Sequence, residues 1–184
     1  MQEVHRRSVT LVLGGVRSGK SRFGLEIASR SSAVCFVATA RASDEEMHRK
    51  IALHRAERPP HWQTLEEPLD LAGAIAANEA HSDLLLVDCL TLFAANLMEA
   101  HGEDAAVIED RLAALCRAIE NAHCSIVLVS NEVGSGIVPA YQAGRHFRDL
   151  LGEINQRMAS IADCVVLMVA GLPLAIKGSA EGLR

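Results

Sequence analysis

Aromatic residues are scarce: four Phe, one Trp and one Tyr make up 3% of 184 residues. So few ring faces leave little for stacking single-stranded bases, and no nucleic-acid partner is expected. A basic surplus is missing too. Lys and Arg number 18 against 23 Asp and Glu, a formal net charge of -5. That excludes a broad cationic face for a phosphodiester backbone or an anionic membrane, so any bound anion must be held locally. The five cysteines (Cys35, Cys89, Cys116, Cys124, Cys164) are odd in number and include no C-x-x-C pair. Neither a disulfide framework nor a cysteine-based zinc site is expected, and a reducing cytoplasmic compartment fits.

Long apolar runs are also absent. The most apolar later stretch, residues 164–176, contains Gly171 and Pro173 and falls short of the ~20 residues that cross a bilayer. Near the N-terminus, Arg6 and Arg7 precede a short apolar segment that imitates a signal peptide. It runs straight into a glycine loop that needs it as a strand, so it is read as retained. There is no internal repeat, low-complexity tract or linker. What remains is the composition of an ordinary folded chain, 49% hydrophobic and 22% charged, and one domain over residues 1–184 is expected.

Five short apolar runs stand out: Thr10–Leu13, Ala33–Thr39, Leu84–Val87, Ile126–Ser130 and Cys164–Ala170. Their near-continuous apolarity is that of strands covered on both faces in a parallel sheet. Stretches of helical character separate them: Lys20–Arg30, Asp44–Ala56, Leu69–Asn78, Ala105–Asn121 and Gly144–Ile161. Strand alternating with helix predicts an α/β fold with a mainly parallel sheet flanked by helices. Pro59-Pro60 is the sharpest breaker and opens the segment carrying His61 and Trp62.

Between the first strand and the first helix, Gly14-Gly15-Val16-Arg17-Ser18-Gly19-Lys20-Ser21 fits the pattern G-x-x-x-x-G-K-S/T. The glycines let successive N–H groups turn inward, and the helix N-terminus adds positive potential where phosphates would lie. Lys20 reaches the β- and γ-phosphates in such a cradle, and Ser21 is a ligand for Mg²⁺. The chain is therefore expected to bind a nucleotide and to have a P-loop NTPase-type fold. Leu84 to Val87 ends in Asp88, the arrangement by which P-loop proteins hold Mg²⁺. A turn or cap is the plainer role for such an Asp, and Thr91 nearby is another candidate cap.

Ser43 to Glu46 has the S-x-x-E capping-box pattern, so a helix is expected from there to Pro59. Met47, Ile51 and His54 share one of its faces. A half-buried core position is the plainer role for a lone histidine. Arg55 and Arg58 beside it allow another: a neutral imidazole flanked by guanidinium groups is suited to attack a phosphate and persist as a covalent adduct.

Five segments together make the chain similar to a family, the bifunctional adenosylcobinamide kinase/adenosylcobinamide-phosphate guanylyltransferases of cobalamin biosynthesis. They are GGVRSGKSR at 14–22, VATA at 37–40, DEEMHRKIALHRAERPPHW at 44–62, LLLVDCLT at 84–91 and SNEVGSGIVPAYQAGRHFRDLLGEINQRMA at 130–159. The last is the most specific, because simple P-loop kinases lack it. Ser130 stands where the family pattern has Thr, and Asp88 where some members have Glu; neither change removes a needed chemical group.

The resemblance implies two reactions. The aminopropanol hydroxyl of adenosylcobinamide is phosphorylated by ATP or GTP, and GMP is then transferred from GTP to that phosphate through a GMP-histidine intermediate. It places the intermediate on His54, not on His48 or His61. It also implies GTP contacts on the phosphate loop, on Ala38 and Thr39, on Arg55, Ala56, Glu57 and Arg58, on Glu66 and on Asp88. Mg²⁺ as cofactor and a homotrimer are further implications. In the last block, Glu132, Arg145, Arg148 and Asp149 are candidates for corrinoid or phosphate contacts, and a solvated helix face with local ion pairs is the alternative for the last three.

Two other functions remain open on the residues alone. A small-molecule P-loop kinase without guanylyl transfer shares the first two motifs. A GTP-dependent switch is opposed by the absence of an N-K-x-D guanine-reading motif, for which Asn131 to Gly134 is a poor substitute.

Overall fold

Val, Leu and Ile dominate the segments at the centre of a seven-stranded sheet. The computed structural model describes residues 7–41, 45, 49, 52, 55, 58–102 and 104–179. Five strands coincide with the expected apolar runs: β1 Val9–Gly14, β2 Val34–Ala38, β4 Leu84–Asp88, β5 Ser125–Val129 and β6 Cys164–Val169. Two edge strands, β3 Gln63–Glu66 and β7 Leu172–Lys177, complete the order β3-β2-β4-β5-β1-β6-β7. Every neighbouring pair is parallel except β6 and β7, which form an antiparallel hairpin.

Strand ends differ from the expected ones by a residue or so. Thr39 and Ser130 lie just past their strands, yet their amides still reach Asp88 O at 3.3 Å and Val12 O at 2.9 Å.

Alternation along each central strand feeds two cores. Leu11, Val37, Leu85, Val87, Ile126 and Leu128 face one side, and Val12, Phe36, Leu86, Val127 and Val129 the other. The first side is covered by α2 Leu71–Asn78, α3 Leu90–His101, α4 Ala105–Asn121 and α5 Gln142–Ile161. The second is covered by α1 Lys20–Ala28 and by Trp62, fixed in a turn in which its amide donates to Pro59 O at 3.1 Å. Each fully buried Leu or Ile stabilises the fold by roughly 1.5–3 kcal/mol, so this two-sided burial makes the strand ends a rigid platform.

The helix ends have local causes. Asp70 accepts the Gly73 amide at 3.2 Å, so α2 starts at Leu71 and not at Leu69. Ser29 and Arg30 turn back on Leu25 O and Ile27 O, which ends α1 at Ala28 rather than Arg30. Between β2 and β3, Glu45, Arg49, Ala52 and Arg55 have helical backbone, and all four are exposed. The rest of the expected helix, with its cap at Ser43, lies outside the described residues, as do His48, His54, Ala56 and Glu57. Among the described residues no helix is long and apolar enough to cross a membrane.

Candidate nucleotide site

The chain leaves β1 at Gly14 and enters α1 at Lys20, and the intervening loop is shaped by close approaches. A Cβ on Gly14 would lie 2.5 Å from Ser18 Oγ and 2.7 Å from Met168 O, so only glycine fits there. Gly19, immediately before the helix, has φ +96°, a conformation that L side chains rarely adopt. Glu132 N donates to Gly14 O and Gly171 N to Ser18 O, both at 3.0 Å, which ties the loop to its neighbours on either side.

Lys20 is buried, and its ammonium donates to Gly15 O at 2.7 Å. Burial lowers its pKa below the ordinary lysine value, while Cys89 and Asp88 act in the opposite sense. Cys89 is itself pushed up to about 11 by burial, so it is a neutral thiol near pH 7. Asp88 is therefore the working counter-charge to Lys20 at neutral pH.

Register places the expected carboxylates. Ala38 on β2 is level with Glu66 on β3 and with Asp88 on β4, so the three stand in one row at the carboxyl ends of neighbouring strands. Ligands of open α/β sheets bind at such ends. Thr39, fully buried, bridges the row: its hydroxyl donates to Cys89 O at 2.7 Å and accepts the Cys89 amide at 2.8 Å. Arg58 lies with its guanidinium 3.5 Å from the centre of the Phe36 ring, a cation–π contact. Arg55 is exposed. The structure thus places Gly14 to Ser21, Ala38, Thr39, Glu66 and Asp88 along the carboxyl ends of one sheet, with Asp88 acting on Lys20 and Glu66 at the far edge, four strands from the loop.

The donor set fits a magnesium–nucleotide group. Ser21 stands in the first turn of α1 and Asp88 at the end of β4, against whose Leu86 α1 packs at Gly24. Ser18 Oγ is buried with no hydrogen-bond partner among the described residues, a polar atom that a phosphate oxygen would satisfy.

Two side-chain amides, Asn96 buried and Asn155 half-buried, support the platform, and neither was singled out by the sequence. Asn96 Nδ2 donates to Thr39 O at 2.8 Å and Pro68 O at 3.1 Å. Asn155 Nδ2 donates to Asn131 O at 2.9 Å while its Oδ1 accepts from Ser130 Oγ at 2.6 Å. For Asn96 the available signal was a lone Asn within an otherwise apolar stretch; Asn155, among Glu153, Gln156 and Arg157, carried none. Thr91, considered above as a cap, instead accepts the Asn131 amide at 2.8 Å from within α3.

In the loop after β5, Glu132 accepts the Gly134 amide at 2.7 Å and the Ser135 amide at 3.2 Å. Arg145 Nη1 donates to Pro139 O at 3.1 Å and Ala140 O at 2.7 Å, and Arg148 donates to Gly134 O. These side chains bind the loop's own backbone.

The chain was compared with known proteins. A family model described as cobinamide kinase / cobinamide phosphate guanyltransferase matches residues 10–176. The bifunctional adenosylcobalamin biosynthesis protein CobP of Pseudomonas aeruginosa is 44% identical over 169 residues, 91% of this chain and 96% of that protein. Bifunctional adenosylcobalamin biosynthesis proteins CobU of Salmonella typhimurium and Escherichia coli are 40% and 38% identical, each over 91% of this chain and 98% of theirs. Among solved structures, an ATPase of the type III secretion system of pathogenic bacteria superposes with TM-score 0.56 at 15% identity, over 96% of this chain and 60% of that one. A protein of Pyrococcus horikoshii OT3 gives 0.56 at 8% identity, over 97% and 91%. At such low identity these likenesses speak for the fold alone, and the fold is of the P-loop NTPase type. The family match spans nearly all seven strands and the phosphate loop, and this chain belongs to the cobinamide kinase / cobinamide phosphate guanyltransferase family.

Proposed function

We propose that this chain, acting as one unit, phosphorylates adenosylcobinamide and then transfers GMP from GTP to the resulting phosphate, using one phosphate loop for both reactions. The observation that carries this reading is Asp88 at the end of β4 acting on Lys20 of the phosphate loop, with Ala38 and Glu66 continuing the row of strand ends away from it. It sets a cation for polyphosphate near a carboxylate at a strand end, and it does so in a member of this family.

In the first step the aminopropanol hydroxyl oxygen bonds to the γ-phosphorus as the bridge to the β-phosphate breaks. The nucleoside diphosphate leaves and the hydroxyl proton passes to water. Lys20 and the loop amides hold the polyphosphate in position and balance its charge. Ser21 and Asp88 would hold Mg²⁺, which when bound neutralises phosphate charge.

In the second step an imidazole nitrogen of His54 bonds to the α-phosphorus of GTP and pyrophosphate leaves. An oxygen of adenosylcobinamide phosphate then bonds to that phosphorus as the P–N bond breaks, giving adenosylcobinamide-GDP and a neutral His54. Arg55, Ala56, Glu57, Arg58 and Glu66 are assigned to the GTP side of the site, with Ala38 and Thr39 beneath it.

The chain is further assigned to the cytoplasm and to a homo-oligomer, a trimer. Support for the oligomer comes from Leu172, Leu174 and Ile176 on edge strand β7 and from Ile137, Val138 and Tyr141 in the loop before α5, all exposed. Light scattering giving a monomer mass would remove that assignment. The function itself is tested by incubating the protein with adenosylcobinamide, ATP, GTP and Mg²⁺ and weighing the corrinoid. Masses of the phosphate and then of the GDP adduct are expected; unchanged adenosylcobinamide would overturn the reading.

A further inference from the structure

The phosphate loop is flanked by two different surroundings. In the sheet, β1 lies between β5 and β6. Beyond β5 come β4, β2 and β3, with Asp88, Ala38 and Glu66 at their ends and Arg58 stacked on Phe36. On the β6 side there is a cavity of about 470 Å³ that none of those residues lines. It begins at Gly19 and runs along the flank of α1, with Arg22, Phe23 and Arg30 on the helix side and Met168 and Pro173 on the strand side.

This volume lies within the ~300–1,000 Å³ usual for small-molecule sites. Phe23 and Met168, each only 3% exposed, make an apolar floor, and Arg22, paired with Glu26 at 3.6 Å, makes a polar rim. The strand-side wall is tied to the loop, since Gly171 in the β6–β7 turn donates to Ser18 O at 3.0 Å. An apolar floor with a hydrogen-bonding rim, continuous with a polyphosphate cradle, is suited to a nucleoside tethered through its phosphates.

The two reactions need opposite ends of a triphosphate exposed to attack, the γ-phosphorus in one and the α-phosphorus in the other. A triphosphate seated on the loop with its nucleoside toward β6 directs its γ-phosphate toward Asp88 and the open strand ends. Seated the other way, it directs its α-phosphate there. We propose that the two donors lie in opposite senses across the same loop, the nucleoside of the kinase-step donor occupying the cavity between α1 and the β6–β7 hairpin. This inference rests on the two-reaction reading above.

The test uses Pro173→Trp, which fills the cavity, and Arg22→Ala, which removes its rim, with ATP as phosphoryl donor. Each variant is expected to raise the KM for ATP in adenosylcobinamide phosphorylation by about tenfold. Labelling of the protein by GTP is expected to stay within about twofold of wild type. Equal losses in both reactions, or none in either, overturn the proposal. Thermal melting of both variants checks that the fold is intact. Independently of turnover, the wild type is photolabelled with 8-azido-ATP and Mg²⁺ and its peptides are mapped. Label on residues 22–30 or 168–173 supports the cavity, and label confined to 58–66 overturns it. If no corrinoid is phosphorylated at all, the functional reading fails on its own, while the position of the photolabel still decides the cavity.

Discussion

Thr39 and Cys89 exchange hydrogen bonds through one hydroxyl, which donates to the Cys89 carbonyl at 2.7 Å and accepts the Cys89 amide at 2.8 Å. Strand β2 is thereby locked to β4 one residue past Asp88. Thr39→Val keeps the shape and removes both bonds; the Cys89 carbonyl keeps the Phe93 amide at 3.2 Å, while the Cys89 amide loses its hydroxyl acceptor. A loss of about 1–3 kcal/mol is expected in urea denaturation, with a raised KM for nucleotide because Asp88 loses its support. Thr39→Ser should restore both properties; a Val variant as stable and active as wild type would show the bridge to be idle.

Lys20 carries two pH effects of opposite sign. Burial lowers its pKa, so the unfolded chain holds that proton to higher pH than the folded one. Stability of the free protein therefore gains from Lys20 as pH rises from its folded pKa to its unfolded value. Nucleotide affinity falls over the same window, because the ammonium that neutralises polyphosphate is being lost. Titrations of Lys20→Met beside wild type isolate both effects from the cysteines, whose raised pKa values act oppositely on stability. A variant with the same alkaline profile as wild type would contradict the assignment.

Removing the ammonium altogether should depress both reactions. For Lys20→Ala a loss of about 10²-fold or more in each rate is expected, the scale of deleting one preorganised electrostatic contact, with an unchanged circular dichroism spectrum. Wild-type rates in either reaction would mean that this reaction does not use the loop.

The loop after β5 should respond to its own side chains. Arg145→Ala with Arg148→Ala frees three loop carbonyls, so cleavage between residues 134 and 141 should quicken in limited proteolysis. Global stability should move by no more than about 0.5 kcal/mol. Burial opposes ionisation of Glu132, but the Ser135 and Gly134 amides prevail and hold its pKa below the ordinary carboxylate value. Protection of the loop should accordingly be complete above that ordinary value and fade only as pH falls through the lowered one.

The five central strands and the phosphate loop were legible because burial on both faces leaves continuous apolar runs, and because the cradle needs glycine at Gly14 and Gly19. The edges were not. Gln63–Glu66 is half exposed and too short to show a period, and Leu172–Lys177 contains Pro173, which an edge strand tolerates and a central one does not. Helix Leu90–His101 was hidden by its apolarity, since it follows a buried strand with only Cys89 between them. Within the site, the motif gave Lys20 and Asp88, whereas Asn96 and Asn155 act through contacts 57 and 24 residues distant in sequence, which no local pattern reports.

The central claim is that one loop serves a covalent guanylyl transfer through His54, and labelling with α-³²P GTP tests it most directly. Wild type, His54→Ala and His48→Ala are incubated with the nucleotide and Mg²⁺ and quenched in alkali, where a phosphoramidate survives. Label is expected on wild type and on His48→Ala, lost on acid treatment, and absent from His54→Ala although that variant still binds GTP. Full labelling of His54→Ala would contradict the account and return His54 to a place in the core.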